Sequence, residues 1–197
     1  MAGTLPLSLV VITRDAAKDI AQCLASAAFA SEIVVVDSGS RDDTVEIAER
    51  SGARVAVEAW RGYGPQKAYA VGLAANDWVL CLDADERVTP DLAAAIAALF
   101  RAGTRPRAAY AVARRNRFLG RWLAHGEGYP DWQARLFDRR RARWSGDPVH
   151  EHVVADGPVG RLEGDLLHAS AESIADYVEK QNRYTTLQAE AMHARGE

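Results

Sequence analysis

Long apolar runs are missing from this 197-residue chain: nowhere do 18 apolar residues follow one another, so no membrane-spanning helix is encoded. Cysteine is scarce too. Cys23 and Cys81 each sit among apolar neighbours, on an expected helix and an expected strand, which suits buried free thiols and speaks against a disulfide framework or a cysteine metal site. The start runs from Met1 into the strand-like "LSLVVI" with neither a basic n-region nor a small-residue cleavage site, so no secretory signal is expected and the cytoplasm is the default compartment. Lysine is nearly absent, with three beside 21 arginines. The net charge of −3 hides an asymmetry: residues 101–143 hold twelve Arg against Glu127, Asp131 and Asp138, which leaves the rest of the chain at −12. Such a block favours phosphate-bearing partners or an anionic membrane surface; a solvated stretch of an arginine-rich chain is the plainer reading. No base-reading nucleic-acid motif accompanies it. What remains is ample for a core, since 48% of the residues are apolar.

Short β-branched runs at 7–12, 33–36, 54–57 and 78–82 alternate with helical patterns. Ile20, Cys23, Leu24 and Ala27 share one helical face; Asp42, Asp43 and Thr44 start a helix that Gly52 stops; Pro65 opens another. Thr89 and Pro90 give a cap and first turn, Leu92, Ile96 and Leu99 line the helix that follows, and Gly103 ends it. Continuous apolar strands alternating with helices predict an α/β fold, a mostly parallel Rossmann-like sheet with helices on both faces. Ligands in that architecture sit at the carboxyl ends of the strands. Residues 104–169 break the repeat, with strand candidates "AAYAVA" and "ARLF" around an irregular Gly, Trp, Arg and Pro stretch; from about 170 onward Ile174, Tyr177, Val178 and Tyr184 mark a C-terminal helix.

The chemistry concentrates in "VLCLDADERVTP", residues 79–90, where an apolar strand runs into Asp83, Asp85 and Glu86. Two carboxylates two residues apart can converge on one hard cation, Mg²⁺ or Mn²⁺, with phosphate oxygens and water completing its shell; a polar turn capping the next helix is the alternative. Haloacid-dehalogenase-type phosphatases use a similar Asp-x-Asp with the first as nucleophile, which would be Asp83, but Arg87 stands where their pattern wants Thr or Val. Asp37, with Ser38 and Gly39 in "VVDSGSRDDT", offers a carboxylate and a close-approach backbone at another strand end. In "RGYGPQKAYA" Lys67 follows two glycines and a proline at a helix start, a sensible place to meet phosphate.

Taken together, "VVITRD", "VVVDSGSRDDT", "GYGPQKAYA", "WVLCLDADERV", "GYPDWQARLF" and "VHEHV" resemble the family 2 inverting glycosyltransferases of GT-A fold, in particular the branch similar to lipopolysaccharide core β-1,4-glucosyltransferases. The resemblance covers nearly the whole chain. It implies a UDP-sugar donor, with a nucleotide-sugar half over 1–103, an acceptor and catalytic half over 104–169 and a helix over 170–197 in one GT-A domain. Thr13, Arg14 and Asp15 would line the nucleotide pocket, and Asp37, Ser38 and Gly39 would hold the base or ribose. Lys67, Asp83 and Ala84 would meet the donor; Asp83, Asp85 and His168 would grip Mg or Mn. Glu151 would be the base that takes the acceptor proton, with Asp131 in reserve and Tyr129, Trp132 and Trp144 as an acceptor floor. His150 and His152 read as core or hydrogen-bonding histidines. The implied acceptor is a phosphorylated glycolipid or saccharide, with peripheral contact at the inner face of the membrane. A non-catalytic nucleotide-sugar-binding domain is the alternative from another class.

Overall fold

The computed structural model describes residues 4–103, 105–147, 151–171 and 173–195. Strand β1 (Leu5–Thr13) is buried from Leu7 onward because it has a parallel neighbour on each side, β2 (Ala30–Asp37) and β4 (Trp78–Asp83). Side-chain alternation then divides its apolar run between two cores. Leu7, Leu9 and Val11 face helix α1 (Ile20–Ser26), while Val10 and Ile12 join the cluster under helix α3 (Tyr63–Leu73). Helix α2 (Thr44–Arg50) leads to edge strand β3 (Arg54–Val57), which completes a parallel β3-β2-β1-β4 order. This is the sheet expected from the continuous apolar strands. Helix α3 starts two residues before Pro65, which sits in its first turn, where a missing N–H costs nothing.

Beyond β4 come β5 (Glu86–Val88) and α4 (Pro90–Arg101), then β6 (Ala109–Phe118), β7 (Arg121–Trp122), a 3₁₀ turn (Gly126–Gly128), β8 (Asp131–Asp138), β9 (Ala142–Trp144), β10 (Val153–Ala155), β11 (Gly160–Ala171) and α5 (Ile174–Arg195). Among the described residues the large sheet reads β3-β2-β1-β4-β8-β6-β11-β5, with β7 on β6, while β9 and β10 pair apart. The second half therefore extends the first half's sheet, joined where β8 runs antiparallel to β4. Neither β5 nor β11 is evident in the sequence. Three residues are too few for a periodic signal, and β11 carries Glu163, Asp165 and His168, so its place comes from pairing with β6 and β5.

Thr89 caps α4 as expected, its hydroxyl accepting from the Leu92 amide at 3.3 Å, and it also donates to the Asp165 carbonyl at 2.7 Å. This close approach of helix to β11 needs Gly164, whose φ is +89° and where a Cβ would lie 2.3 Å from the Leu92 nitrogen. Gly164→Ala is expected to destabilise the protein by about 1–3 kcal/mol, read as a lowered denaturant midpoint, because backbone must shift on one side or the other.

The arginine block is not one uncompensated face. Arg114, Arg115, Arg135 and Arg140 each pair with carboxylates, and Arg105 lies over the Trp78 and Phe100 rings. Among the described residues no helix is long and apolar enough to cross a membrane.

Candidate active site

The strand ends of β1 and β4, the start of α3 and the inner strands of the second half enclose a cleft of about 1120 Å³. Its wall on the β1 side, Thr13 to Ala16, is laced to the loop after β2. Asp15 holds φ +50°; its amide donates to Ser40 Oγ at 2.8 Å and its carboxylate accepts from the Arg41 amide at 2.7 Å. The Ala16 amide donates to Thr44 Oγ1 at 2.7 Å. Among the described residues buried Thr13 Oγ1 has no hydrogen-bond partner, a polar group at the cleft with unused capacity.

Across the floor runs a chain of alternating charges. Lys67 Nζ lies 2.8 Å from Glu151 Oε1 and 2.9 Å from Asp83 Oδ1. Arg135 Nη2 lies 2.9 Å from Asp83 Oδ2 and 2.6 Å from Glu86 Oε1, and Arg114 is 3.6 Å from the same Glu86 oxygen. Beneath both cations is the Trp144 ring, 4.8 Å from Lys67 Nζ and 5.9 Å from the Arg135 guanidinium. Burial opposes the charges on Lys67, Asp83 and Arg135, so each survives through its partners. Burial works against the Lys67 ammonium, yet Asp83 and Glu151 outweigh it and hold the group above its ordinary value. Burial likewise opposes the Asp83 carboxylate, but Lys67 and Arg135 hold it far below the carboxylate range.

A depressed carboxylate stabilises the fold fully above its unfolded value near 4 and loses that contribution as pH falls toward the folded one. Acidification from about pH 4 to pH 2 should therefore destabilise the wild type more steeply than Asp83→Asn. Denaturant midpoints measured across that window check it; equal slopes would contradict it.

At the other end of the cleft, His168 Nε2 lies 3.3 Å from Asp85 Oδ2. Strand β4 stops at Asp83 and the chain reverses into β5, so Asp83 and Asp85 do not share a strand face. The expected joint grip is divided accordingly: Asp83 gives both oxygens to cations of the protein, and Asp85 turns to His168. Among the described residues no three carboxylate, imidazole or thiol side chains converge as a cation site. Asp85 and His168 supply an oxygen and a nitrogen donor on the cleft, a pair that fits a divalent cation whose remaining ligands would come from phosphate and water.

A model of the glycosyl transferase family 2 domain matches residues 8–155, three quarters of the chain. The chain belongs to glycosyl transferase family 2. An uncharacterized glycosyltransferase of Rickettsia felis is 33% identical over 205 residues, covering 96% of this chain and 71% of that protein. The lipopolysaccharide core biosynthesis glycosyltransferase LpsC of Rhizobium meliloti is 32% identical over 197 residues, covering 96% of this chain and 73% of LpsC. Residues 1–349 of S. aureus TarS superpose with a TM-score of 0.54 at 16% identity, over 92% of this chain and 64% of that one, which shows the shared fold. The α/β fold read from the strand pattern and the GT-A architecture implied by the resemblance are the ones observed, the sheet being parallel in its first half and mixed in its second, where β5, β7 and β8 pair antiparallel.

In this family 2 glycosyltransferase chain the structure gathers Thr13, Arg14, Asp15, Lys67, Asp83, Ala84, Asp85, Glu151 and, beyond the matched residues, His168 on one cleft. Asp37, Ser38 and Gly39 do not line it. Asp37 is 1% exposed and serves its own turn, accepting from the Gly39 amide at 2.9 Å, the Ser40 amide at 2.8 Å and the Ser40 hydroxyl. Asp131 also stands outside the lining, held by both Arg114 Nε and Nη2 and by Gln133. Burial raises its carboxyl, but the Gln133 hydrogen bond and the Arg114 charge bring it below the usual range. The aromatics expected as an acceptor floor are dispersed: Trp144 lies under the ion chain, Tyr129 donates to Asp165, and Arg161 covers Trp132. Trp60 and Tyr63 line the cleft instead, their rings edge to face at 4.8 Å. His152 is exposed, and His150 lies outside the described residues. The family reading replaces the phosphatase alternative, and Asp83, tied through both oxygens, is not disposed as a nucleophile.

Proposed function

We propose that the protein transfers a hexose, glucose being the first candidate, from a UDP-sugar to a hydroxyl of a phosphorylated glycolipid or lipopolysaccharide-core acceptor, with inversion at the transferred carbon. One observation carries this reading: Lys67 joins Glu151 to Asp83, so a carboxylate suited to general-base work lies on the cleft formed by the strand-end acids. Glu151 would take the acceptor hydroxyl's proton as the new bond forms. Thr13, Arg14 and Asp15 would bound the nucleotide, and Trp60 with Tyr63 would offer a face for a flat ring. Mg or Mn would be held by Asp85 and His168, where it would supply positive charge for the departing diphosphate. Relation to LpsC supports the choice of acceptor. Arg121 and Arg143, exposed on the second half, would meet acceptor phosphates or the anionic inner leaflet.

Calorimetry with UDP and Mn²⁺, followed by a donor-hydrolysis and transfer assay over UDP-sugars, tests the proposal. Binding with turnover is expected. Binding without hydrolysis or transfer would make this a non-catalytic nucleotide-sugar domain, and no binding of any sugar nucleotide would overturn the reading altogether.

A further inference from the structure

Strands β6 and β11 pair in parallel with Asn116 opposite His168, and the two side chains touch. Asn116 Oδ1 and His168 Nδ1 are 2.7 Å apart. Which way the amide faces is decided by its other contact. Asn116 Nδ2 is 3.3 Å from the Gly128 carbonyl oxygen. A carbonyl only accepts, so the NH₂ must face it and the amide oxygen must face the imidazole. The oxygen can only accept in turn, so His168 Nδ1 carries a hydrogen. In the neutral ring the lone pair then sits on Nε2, the nitrogen 3.3 Å from Asp85 Oδ2. A charged ring would donate from Nε2 to the carboxylate, whereas a neutral ring with its hydrogen on Nδ1 offers the Nε2 lone pair to a cation lying between it and Asp85.

We infer that Asn116 is the positioning residue that fixes His168 as an Nε2 ligand beside Asp85, and that its amide ties this corner to the acceptor-side turn at Gly126–Gly128. The inference rests on the reading of Asp85 and His168 as the cation corner. It adds a residue that the family motifs quoted above do not contain, and gives it a role acting through His168 instead of through substrate. An amide in this place does what carboxylates and carbonyls do behind histidine ligands elsewhere: it sets tautomer and ring angle, effects that amount to about 10–100-fold in metal affinity.

The test has two readouts on the whole chain, with H168Q assigning the signal. In metal-free protein labelled with ¹⁵N-histidine, in alkaline buffer where imidazoles are neutral, long-range ¹H–¹⁵N spectra are expected to show His168 protonated at Nδ1. N116L should lose that preference. Electron paramagnetic resonance of Mn²⁺ in the presence of UDP should show affinity weakened about 10–100-fold in N116L. Wild-type His168 protonated at Nε2, or N116L with unchanged tautomer and unchanged Mn²⁺ affinity, overturns the role of Asn116 alone. Wild-type protein that binds UDP but takes up no Mn²⁺ overturns the cation corner itself and this inference with it.

Discussion

Glu151→Gln is expected to lower kcat for sugar transfer by about 10²- to 10⁴-fold, the range over which a positioned general base accelerates proton transfer. The affinity for UDP should not change. Glutamine matches the shape of the side chain, which is 15% exposed, and its oxygen can still accept from Lys67, whose other partner, Asp83, stays at 2.9 Å. What disappears is the capacity to take a proton, so the loss belongs in kcat with the donor KM preserved. Asp131→Asn is the comparison that gives the result meaning. Asp131 lies outside the cleft lining and is clamped by Arg114 and Gln133, so removing its charge should affect packing near Arg114 far more than proton transfer. A full-sized kcat loss in Asp131→Asn together with an active Glu151→Gln would move the base to the reserve carboxylate. Equal donor hydrolysis in wild type and Glu151→Gln is expected without acceptor, where water rather than Glu151 limits the reaction.

The sheet was legible because its strands are almost wholly apolar, and that pattern has few meanings: Leu7–Ile12, with Ser8 its one polar residue, and Val79–Leu82 are buried on both faces as such runs require. The cleft was legible where strand ends carry polar residues. Asp83, Asp85, Lys67 and Glu151 are 84 residues apart at the extremes, and only the order of motifs, compared with a family, joined them before the fold did. What escaped the sequence was direction. Nothing in "DADER" says that Asp83 and Glu86 turn inward to Arg135 while Asp85 turns to His168, because the reversal between β4 and β5 removes the strand alternation on which such a reading depends. Asp37 misled for a related reason: an Asp before Ser-Gly-Ser is as good at tying its own turn as at meeting a ligand, and here the turn takes both oxygens. One signal was present and unused. Arg135 stands inside the apolar run "ARLF", and a guanidinium in a central strand must have buried acids waiting for it.

Arg135→Met therefore carries the largest expected loss of stability, about 3–5 kcal/mol, the usual consequence of removing one partner from a buried ion pair. Methionine fills much of the same volume, so the effect comes from charge rather than a cavity. Among the described residues Glu86, 0% exposed, would keep Arg114 at 3.6 Å and the Asp83 amide at 3.0 Å, while Asp83 would fall back on Lys67. Adding Glu86→Gln should return a substantial part of the loss, since the uncompensated carboxylate is then gone; the two changes share one contact and will not be additive. Denaturant midpoints of the wild type, both single variants and the double variant form the cycle that measures this. If Glu86→Gln recovered nothing in the Arg135→Met background, the cost would lie in the lost contact between the guanidinium and the Trp144 ring, 5.9 Å away, and the alternating chain under the cleft would be a packing feature with charges attached. The geometry favours the first outcome: a 2.6 Å contact between two groups that water barely reaches makes each the other's main source of solvation.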